Sequence, residues 1–410
     1  MKIGYNFKKF LLLWSGELIS QVGGGLTSFG LGVYIFQKIG RASDMALITL
    51  IGFLPTIILS VPAGVLADKH DRRLLMVIGD GCSGMGIVYI LWCMMNGGAT
   101  LSQICIGVFI SSVFSSLLEP SFRATINDLL TKDEFSKASG LLSLAGSAKY
   151  LLSPIIAGVL LTISDVKLLL IIDICTFILT VICTLIIRKS IKNKNISTSD
   201  HFLSGLKDGW KVVYGNRGVF FLVILAGVIT MFMGVFQVLA VPIFLSITDS
   251  KTLGIVETIC ASGMLVSGIF LGIRGIKRNF VKVLSISLTF SGIFILAFGI
   301  FENVLIMCIF GFFFFLTLPF ANNCLDYLSR TNIPDEYQGR AWGLIGFLSQ
   351  LGYVVAYSIS GKIADYLGII TEKGVGRGSA LLIIISGICL VVISLCIPMI
   401  KRINELENNI

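Results

Sequence analysis

Long apolar stretches alternate with short polar segments along the whole chain. A helix that crosses a bilayer needs roughly 20 consecutive apolar residues, and the charged residues here fall into clusters that separate twelve such stretches. The pattern predicts an all-α integral membrane protein with twelve transmembrane helices. The predicted spans are 10–36, 44–67, 74–95, 101–122, 138–163, 166–187, 219–246, 252–273, 281–301, 303–326, 342–366 and 379–400.

Composition agrees with this prediction and excludes an ordinary soluble globule. The chain is 55% hydrophobic and 13% charged, with a mean hydropathy of +0.92, whereas about a quarter of the residues of a soluble domain are charged. The ten cysteines lie within or at the ends of apolar runs and form no C-x-x-C pair. We interpret them as packing residues and expect no metal and no cofactor. The first apolar run is too long for a cleavable signal peptide.

The distribution of basic residues predicts the orientation in the membrane. Lys and Arg accumulate in short cytoplasmic loops. The two termini and the loops on their side of the bilayer carry 24 of them, and the opposite loops carry 6. We therefore expect both termini to be cytoplasmic in a cell-membrane protein, and the net charge of +9 to face anionic lipid, with no nucleic-acid partner.

The predicted helices divide into two six-helix halves. The longest polar interval, residues 188–218, separates an N-terminal half, 1–187, from a C-terminal half, 219–410. Apolar residues at helical spacing between 202 and 214 indicate a short amphipathic helix in this linker, with a solvated loop as the alternative. An internal repeat supports the division, because Gly140, Tyr150 and Gly158 recur at one constant offset as Gly343, Tyr353 and Gly361.

A charged loop between the second and third predicted helices carries the clearest motif. It reads Gly-Val-Leu-Ala-Asp-Lys-His-Asp-Arg-Arg over residues 64–73 and resembles the signature loop of major facilitator superfamily transporters. In most of that superfamily a glycine stands at the position of Asp71. The Asp-Arg-Arg variant resembles the branch of macrolide-efflux permeases and enterobactin-type siderophore exporters, and the resemblance extends over essentially the whole chain.

The resemblance implies a conformational latch. The acid at Asp68 is expected to face the N-terminus of the eleventh helix, near Arg340, because unpaired N–H groups and the helix dipole attract an anion there. Such a contact would favour the outward-open state; a simple stop-transfer signal is the alternative. Asp365, in a look-alike Gly-x-x-Ala-Asp stretch, is interpreted as a helix-end feature. The latch residues are Gly64, Asp68, Lys69, Arg72, Arg73 and Arg340.

Ionisable residues inside apolar spans mark candidate pathways, since charge is costly in hydrocarbon. Lys149 lies eleven residues into the fifth span, about 16 Å deep at ~1.5 Å per residue, and Glu17 of the first span is its candidate counter-charge. A static ion pair between the two is the alternative. Glu257 is a further candidate. Asp80 and Asp173 are interpreted as interfacial or packing residues.

Small and aromatic residues supply the remaining candidates. Gly140, Pro154 and Gly158 in the fifth span should let this helix bend and approach a neighbour closely. Phe232 and Phe236 in the seventh span are candidates for an aromatic wall of the substrate pathway, with ordinary packing as the alternative.

These features predict a transporter and not an enzyme. The sequence has two histidines and no P-loop or nucleophile elbow, so we expect an ion gradient, of H+, or a separate ATPase partner to supply energy. The resemblance implies a monomeric exporter of amphipathic small molecules such as macrolides. Alternatives are an exporter of an anionic, siderophore-like metabolite and a non-transporting membrane partner or sensor.

Overall fold

The structure is a computed structural model that describes residues 5–131, 134–189, 210–334 and 337–408. The described residues form helices and short connections, without a β-strand. Most of the predicted linker helix falls outside them; residues 210–215 are helical.

Besides the helical residues 210–215, fifteen α-helices are described, and all but the last overlap the predicted apolar stretches. They are α1 (Tyr5–Ile39), α2 (Ala42–Lys69), α3 (Arg72–Met95), α4 (Leu101–Ser115), α5 (Leu118–Leu129), α6 (Phe135–Leu151), α7 (Ser153–Ile163), α8 (Val166–Lys189), α9 (Arg217–Ile247), α10 (Ser250–Arg274), α11 (Phe280–Ile300), α12 (Val304–Thr331), α13 (Gln338–Ile370), α14 (Gly374–Cys396) and α15 (Lys401–Asn408).

Local polar residues determine where several helices begin. Asn216 and Asn303 accept hydrogen bonds from the first backbone N–H groups of α9 and α12, which would otherwise have no partner. Thr100 and Gln103 form a reciprocal capping box at α4. These polar residues stand immediately before apolar runs, so the helix starts follow from the sequence.

Within the described residues, twelve helical spans are long and apolar enough to cross a bilayer. Two of them are interrupted: α4 and α5 together form one, and α6 and α7 form another. The second interruption lies at Leu152, just before Pro154, whose ring cannot continue an uninterrupted helix. The prediction of a twelve-helix, all-α membrane fold is confirmed.

The chain forms two compact units. The first contains residues 1–39, 47–198 and 250–255, and the second contains 40–46, 199–249 and 256–410. In the first, α1 and α3 pack against α8, and buried side chains of Phe10, Met76 and Ile187 lie in one apolar cluster. The first turn of α2 groups with the second unit, and the first turn of α10 groups with the first unit.

The second unit is built on α9, α11, α13 and α14, with α12 packed against α11. The short helix α15 completes its core, because Leu406 is 2% exposed and belongs to the same apolar cluster as Leu222 and Leu284. Glu407 accepts hydrogen bonds from the backbone N–H groups of Phe280 (2.7 Å) and Val281 (3.1 Å). The C-terminal helix therefore caps the beginning of α11.

Candidate functional site

Asp71 anchors the charged loop that precedes α3. One carboxylate oxygen accepts the backbone N–H of Arg73 at 3.2 Å and caps α3. The other accepts a hydrogen bond from Arg188 Nε, at the end of α8, at 2.7 Å. Burial alone would raise the pKa of Asp71, but the Arg188 hydrogen bond, together with backbone N–H groups, holds this pKa below its ordinary value.

The two arginines of the motif also point into the first unit. Arg72 donates to Asp128 at 2.8 Å and to the backbone oxygens of Ala67 and Ala124, both at 3.2 Å. The Arg73 side chain is 4% exposed and lies 3.9 Å from the other oxygen of Asp128. The loop is thus fixed to α5 and α8 through its arginines and Asp71.

The other predicted latch residues lie in more open surroundings. The Asp68 side chain is 68% exposed and 3.9 Å from Arg72. Lys69 is exposed, and a Cβ on Gly64 would meet open space as far as the described residues outside its own helix turn are concerned. Arg340 belongs to the first turn of α13, and its side chain lies outside the described part of the structure. The acid that this conformation holds firmly is Asp71.

A buried carboxyl group lies between α1 and α8. Asp173 is 1% exposed and accepts hydrogen bonds from the hydroxyls of Thr27, at 2.6 Å, and Thr176, at 3.3 Å. A Cβ on Gly23 would stand 2.5 Å from the Thr176 hydroxyl and 2.7 Å from the Asp173 carboxylate. The glycine therefore leaves the space that this polar contact occupies.

Two further carboxyl groups complete what we call the acidic cluster, Glu17, Asp80 and Asp173. Asp80 of α3 is 4% exposed, within hydrogen-bonding reach of Thr180, and interacts electrostatically with both other carboxyl groups. Glu17 accepts a hydrogen bond from Gln21, one turn on, at 2.7 Å. The cluster lies inside the first unit and combines α1, α3 and α8.

Lys149 of α6 is a basic group that acts electrostatically on the acidic cluster. It interacts electrostatically with Glu17 and with Asp173. Within the described residues, however, no ion pair of 4.0 Å or less joins Lys149 to Glu17, so the structure does not contain the static pair considered above. The ammonium group acts on two carboxyl groups at longer range.

Asp80 and Asp173 were expected to have interfacial or packing roles. Both side chains are buried inside the unit, which agrees with packing and not with an interfacial position. A usable signal was present: Thr176 follows Asp173 by three residues, and Gln21 follows Glu17 by four, so each pair lies on one helix face. Polar pairs on one face of an apolar helix indicate a buried polar contact.

The predicted packing residues differ in their surroundings. A Cβ on Gly158 would stand 2.8 Å from the backbone oxygen of Ser250 and 3.2 Å from Lys251 Cα, whereas Gly140 has open space at that point. Pro154 lies in the first turn of α7, and its backbone oxygen contacts Gly254. Close helix approach is therefore concentrated on α7, where its face meets the first turn of α10.

The aromatic candidates lie inside the second unit. Phe232 and Phe236 are each 5% exposed. The ring of Phe236 packs against those of Phe298 and Phe314, with centroids 4.9 and 5.0 Å away. In this conformation the two phenylalanines contribute to the core and offer little ring surface to a ligand.

Glu257 of α10 is partly buried and interacts electrostatically with Cys260.

A cavity of about 640 Å³ opens in the first unit, at the ends of the helices that lie away from the charged loop. One face of α1 contributes Tyr34 and Gln37, the end of α3 contributes Met94, the connection after α7 contributes Asp165, and the first turn of α8 contributes Lys167. Its volume is in the range of small-molecule pockets. The described residues contain no group of three or more His, Cys, Asp or Glu side chains placed to hold a metal ion.

The chain is similar in sequence to known transport proteins. The chain is 25% identical to Macrolide efflux protein A of Streptococcus pyogenes over an alignment 425 positions long, which covers 98% of both proteins. It is 26% identical over 162 residues to the Staphyloferrin A transporter of Staphylococcus aureus, covering 39% of this chain and 38% of that protein.

A solved structure and a family profile define the fold family. A POT family transporter crystallised with a thioalcohol-conjugated peptide superposes with a TM-score of 0.74 over 96% of both chains, at 12% identity, which demonstrates a shared fold. The family profile described as Major Facilitator Superfamily matches residues 13–357. With twelve candidate spans and the signature loop in place, the chain belongs to the major facilitator superfamily.

Proposed function

We propose that this membrane transporter is a proton-coupled exporter of amphipathic small molecules, macrolide-type antibiotics among them, that works by alternating access. In this proposal it acts as a monomer in the cell membrane, with both termini cytoplasmic. The family membership and the end-to-end similarity to a macrolide efflux protein support export of such compounds. The excess of basic residues on the side of the termini supports the orientation.

The acidic cluster is the observation that carries proton coupling. A charged carboxylate inside the hydrocarbon region costs on the order of 3 kcal/mol even with favourable insertion, and binding a proton removes that charge. The hydroxyls of Thr27 and Thr176 and the amide of Gln21 can donate to a charged carboxylate, and a hydroxyl oxygen can accept from a protonated one, so both protonation states find partners. Lys149 would bias which carboxyl group holds the proton.

A flux assay in vesicles with an imposed pH gradient tests coupling. Asp173→Asn keeps the shape of the side chain but cannot exchange a proton, so we expect gradient-driven drug flux to fall by about tenfold or more. Gly23→Ala should reduce flux in the same direction, because its methyl group would displace the Asp173–Thr176 contact.

Gly24→Ala is the matched control, since no atom lies within 4 Å of its Cβ position. Wild-type, gradient-dependent flux in both Asp173→Asn and Gly23→Ala would remove the acidic cluster from the coupling mechanism. Absence of any gradient-driven flux in the wild type, for all compounds tried, would favour a non-transporting membrane partner or sensor. Flux that requires ATP and a second protein would favour an ATPase partner.

Drug-susceptibility measurements on cells with and without the gene test the substrate class. We expect expression of the wild-type chain to raise the inhibitory concentration of macrolides. We also expect the increase to depend on the membrane proton gradient. Unchanged susceptibility to every macrolide, at confirmed expression, would contradict macrolide export.

Export of an anionic, siderophore-like metabolite is the second candidate. The partial similarity to a staphyloferrin A transporter and the half-buried position of Lys149, within electrostatic range of the acidic cluster, favour it, because an ammonium group attracts an anion strongly where water is scarce. Lys149→Ala should then reduce transport of anionic substrates far more than that of neutral or cationic ones. Equal losses for all three charge classes would exclude this role.

We also propose that Gly64, Asp68, Lys69, Arg72, Arg73 and Arg340 act as a latch on the cytoplasmic side, with Asp68 as its acid. The exposure of Asp68 in this structure leaves its carboxylate available for such a contact. Asp68→Asn should shift the population toward the inward-open state and reduce transport. Distances between spin labels across the cytoplasmic face measure this shift. If Asp68→Asn changes neither these distances nor transport, the latch is contradicted.

A further inference from the structure

The carboxylate of Asp365, near the end of α13, caps the first turn of α2. Its two oxygens accept hydrogen bonds from the backbone N–H groups of Ala42, at 2.8 Å, and Ser43, at 3.1 Å. The first N–H groups of a helix have no partner within the helix, and the helix dipole favours a negative charge there. The interaction therefore combines two charge-assisted hydrogen bonds with a favourable dipole.

Gly361, one turn before Asp365, makes this approach possible. A Cβ on Gly361 would stand 2.5 Å from Ser43 Cα and 2.7 Å from the backbone oxygen of Ala42. Both neighbours are backbone atoms of α2, so a side chain here would force the helices apart. Residues 361 and 365 lie on one face of α13, and both fit the same turn of α2. Close packing and charge thus act at one place.

This cap lies at the point where α2 passes from one compact unit to the other. Residues 40–46 group with the second unit, which contains Asp365, and residues 47–69 group with the first. The helix itself is continuous from Ala42 to Lys69. If α2 moves as a rigid helix with the first unit during transport, the two hydrogen bonds to Asp365 must break.

The sequence around the cap matches that of the charged loop. Gly361-x-x-Ala364-Asp365 has the same spacing as Gly64-x-x-Ala67-Asp68. In this conformation the surroundings of the two motifs are opposite: Gly64 has open space and Asp68 is 68% exposed, whereas Gly361 and Asp365 are both engaged. The stretch that sequence analysis interpreted as a helix-end feature is the one that holds a second helix.

We propose that Asp365 is a releasable latch on the face opposite the chain termini, engaged in the conformation described and broken once in every transport cycle. The carboxylate is a positioning group: it holds the first turn of α2 against α13 and touches no substrate. Its role is separate from that of Asp68, because Asp365 contacts the beginning of α2, whereas Asp68 lies at the end of α2.

Hydrogen exchange measures the cap directly, without any assumption about transport. We expect Asp365→Ala to raise the exchange rate of the Ala42 and Ser43 amides by about tenfold, equivalent to ~1.4 kcal/mol. Asp365→Asn should give a smaller increase, because an amide oxygen still accepts a hydrogen bond but carries no charge. Gly361→Ala should raise the rate by separating the two helices.

Two variants serve as controls. Gly346→Ala lies on the same helix with no atom within 4 Å of its Cβ position, and Asp165→Asn removes an exposed acid that pairs with Lys167. Neither should change exchange at residues 42 and 43. Unchanged exchange in Asp365→Ala and Gly361→Ala would overturn the cap itself.

Cross-linking separates a releasable latch from a permanent brace. Ser43→Cys and Lys362→Cys, joined by a short, cleavable thiol cross-linker, should lose transport by at least about tenfold and regain it when the linker is cleaved. Each single variant treated with the same reagent is the control. The cross-linking experiment rests on the proposed transport function, so it is interpreted only if the wild-type protein shows flux. Full transport in the cross-linked protein would overturn the latch, even with the cap established by exchange.

Discussion

At the scale of single residues, the side chains that matter most form contacts with partners far away in the sequence. Asp173 is held by Thr27, and Asp365 by the backbone of residues 42 and 43. Hydropathy locates each acid along its own helix but contains no information about which face meets which neighbour. Asp80 and Asp173 therefore received interfacial or packing roles from the sequence, and the structure buries them together.

Asp71 allows a prediction about pH. Its folded-state pKa lies below the ordinary value, so its ion pair with Arg188 stabilises the protein above about pH 4, the unfolded-state value, and this contribution is lost as the pH falls further. Because Arg188 is 39% exposed, we expect Asp71→Asn to cost only about 1 kcal/mol at pH 7. Asn retains the helix cap, so the change isolates the ion pair.

Thermal unfolding followed by tryptophan fluorescence at pH 7 and at pH 3.5 checks this expectation. The wild type and Asp71→Asn should differ at neutral pH, and the difference should be smaller at pH 3.5. Asp165→Asn, which removes an exposed ion pair, is the control and should have little effect at either pH. An equal difference at both pH values would mean that the Asp71 charge is not what stabilises the loop.

At the scale of helices, two glycines that looked equivalent in the sequence occupy different environments. Gly158→Ala would push a methyl group against the backbone of Ser250 and Lys251, whereas Gly140→Ala meets open space. Overpacking of this kind costs about 1–3 kcal/mol, and alanine in a helix is otherwise slightly favourable. We expect a clear loss of thermal stability for the first variant and none for the second; equal stability would contradict the close approach of α7 and α10.

The C-terminal helix α15 allows a second prediction at the scale of helices. Glu407→Gln removes the charge that caps α11, and a cap of this kind contributes about 1 kcal/mol. Glu405 lies on the same helix and is exposed, so Glu405→Gln is the matched control. We expect limited proteolysis to cut α15 faster in the first variant only. The same cutting rate in both would show that Leu406 packing alone holds the helix.

At the scale of the whole molecule, the sequence predicted the membrane fold because one physical quantity, the length of apolar runs between charges, determines it. The break before Pro154 and the helix starts at Asn216 and Asn303 are likewise determined by residues that are neighbours in the sequence. The acidic cluster and the Asp365 cap were not, since each joins helices that are distant along the chain. Local chemistry fixes the helices, and tertiary packing decides which acids are buried or engaged.

The distribution of charge leads to a prediction about the entire chain. Basic residues number 24 on the side of the termini and 6 on the other, and such an excess in short loops keeps them in the cytoplasm. Alkaline phosphatase, which is active only outside the cytoplasm, should therefore be inactive when fused after Ile410 and active when fused after Gly98. A cytoplasmic reporter such as β-galactosidase should give the reverse result at the same two positions. Activity of the phosphatase at Ile410 with silence at Gly98 would invert the orientation, and Asp365 would then lie on the cytoplasmic face with Asp68 outside.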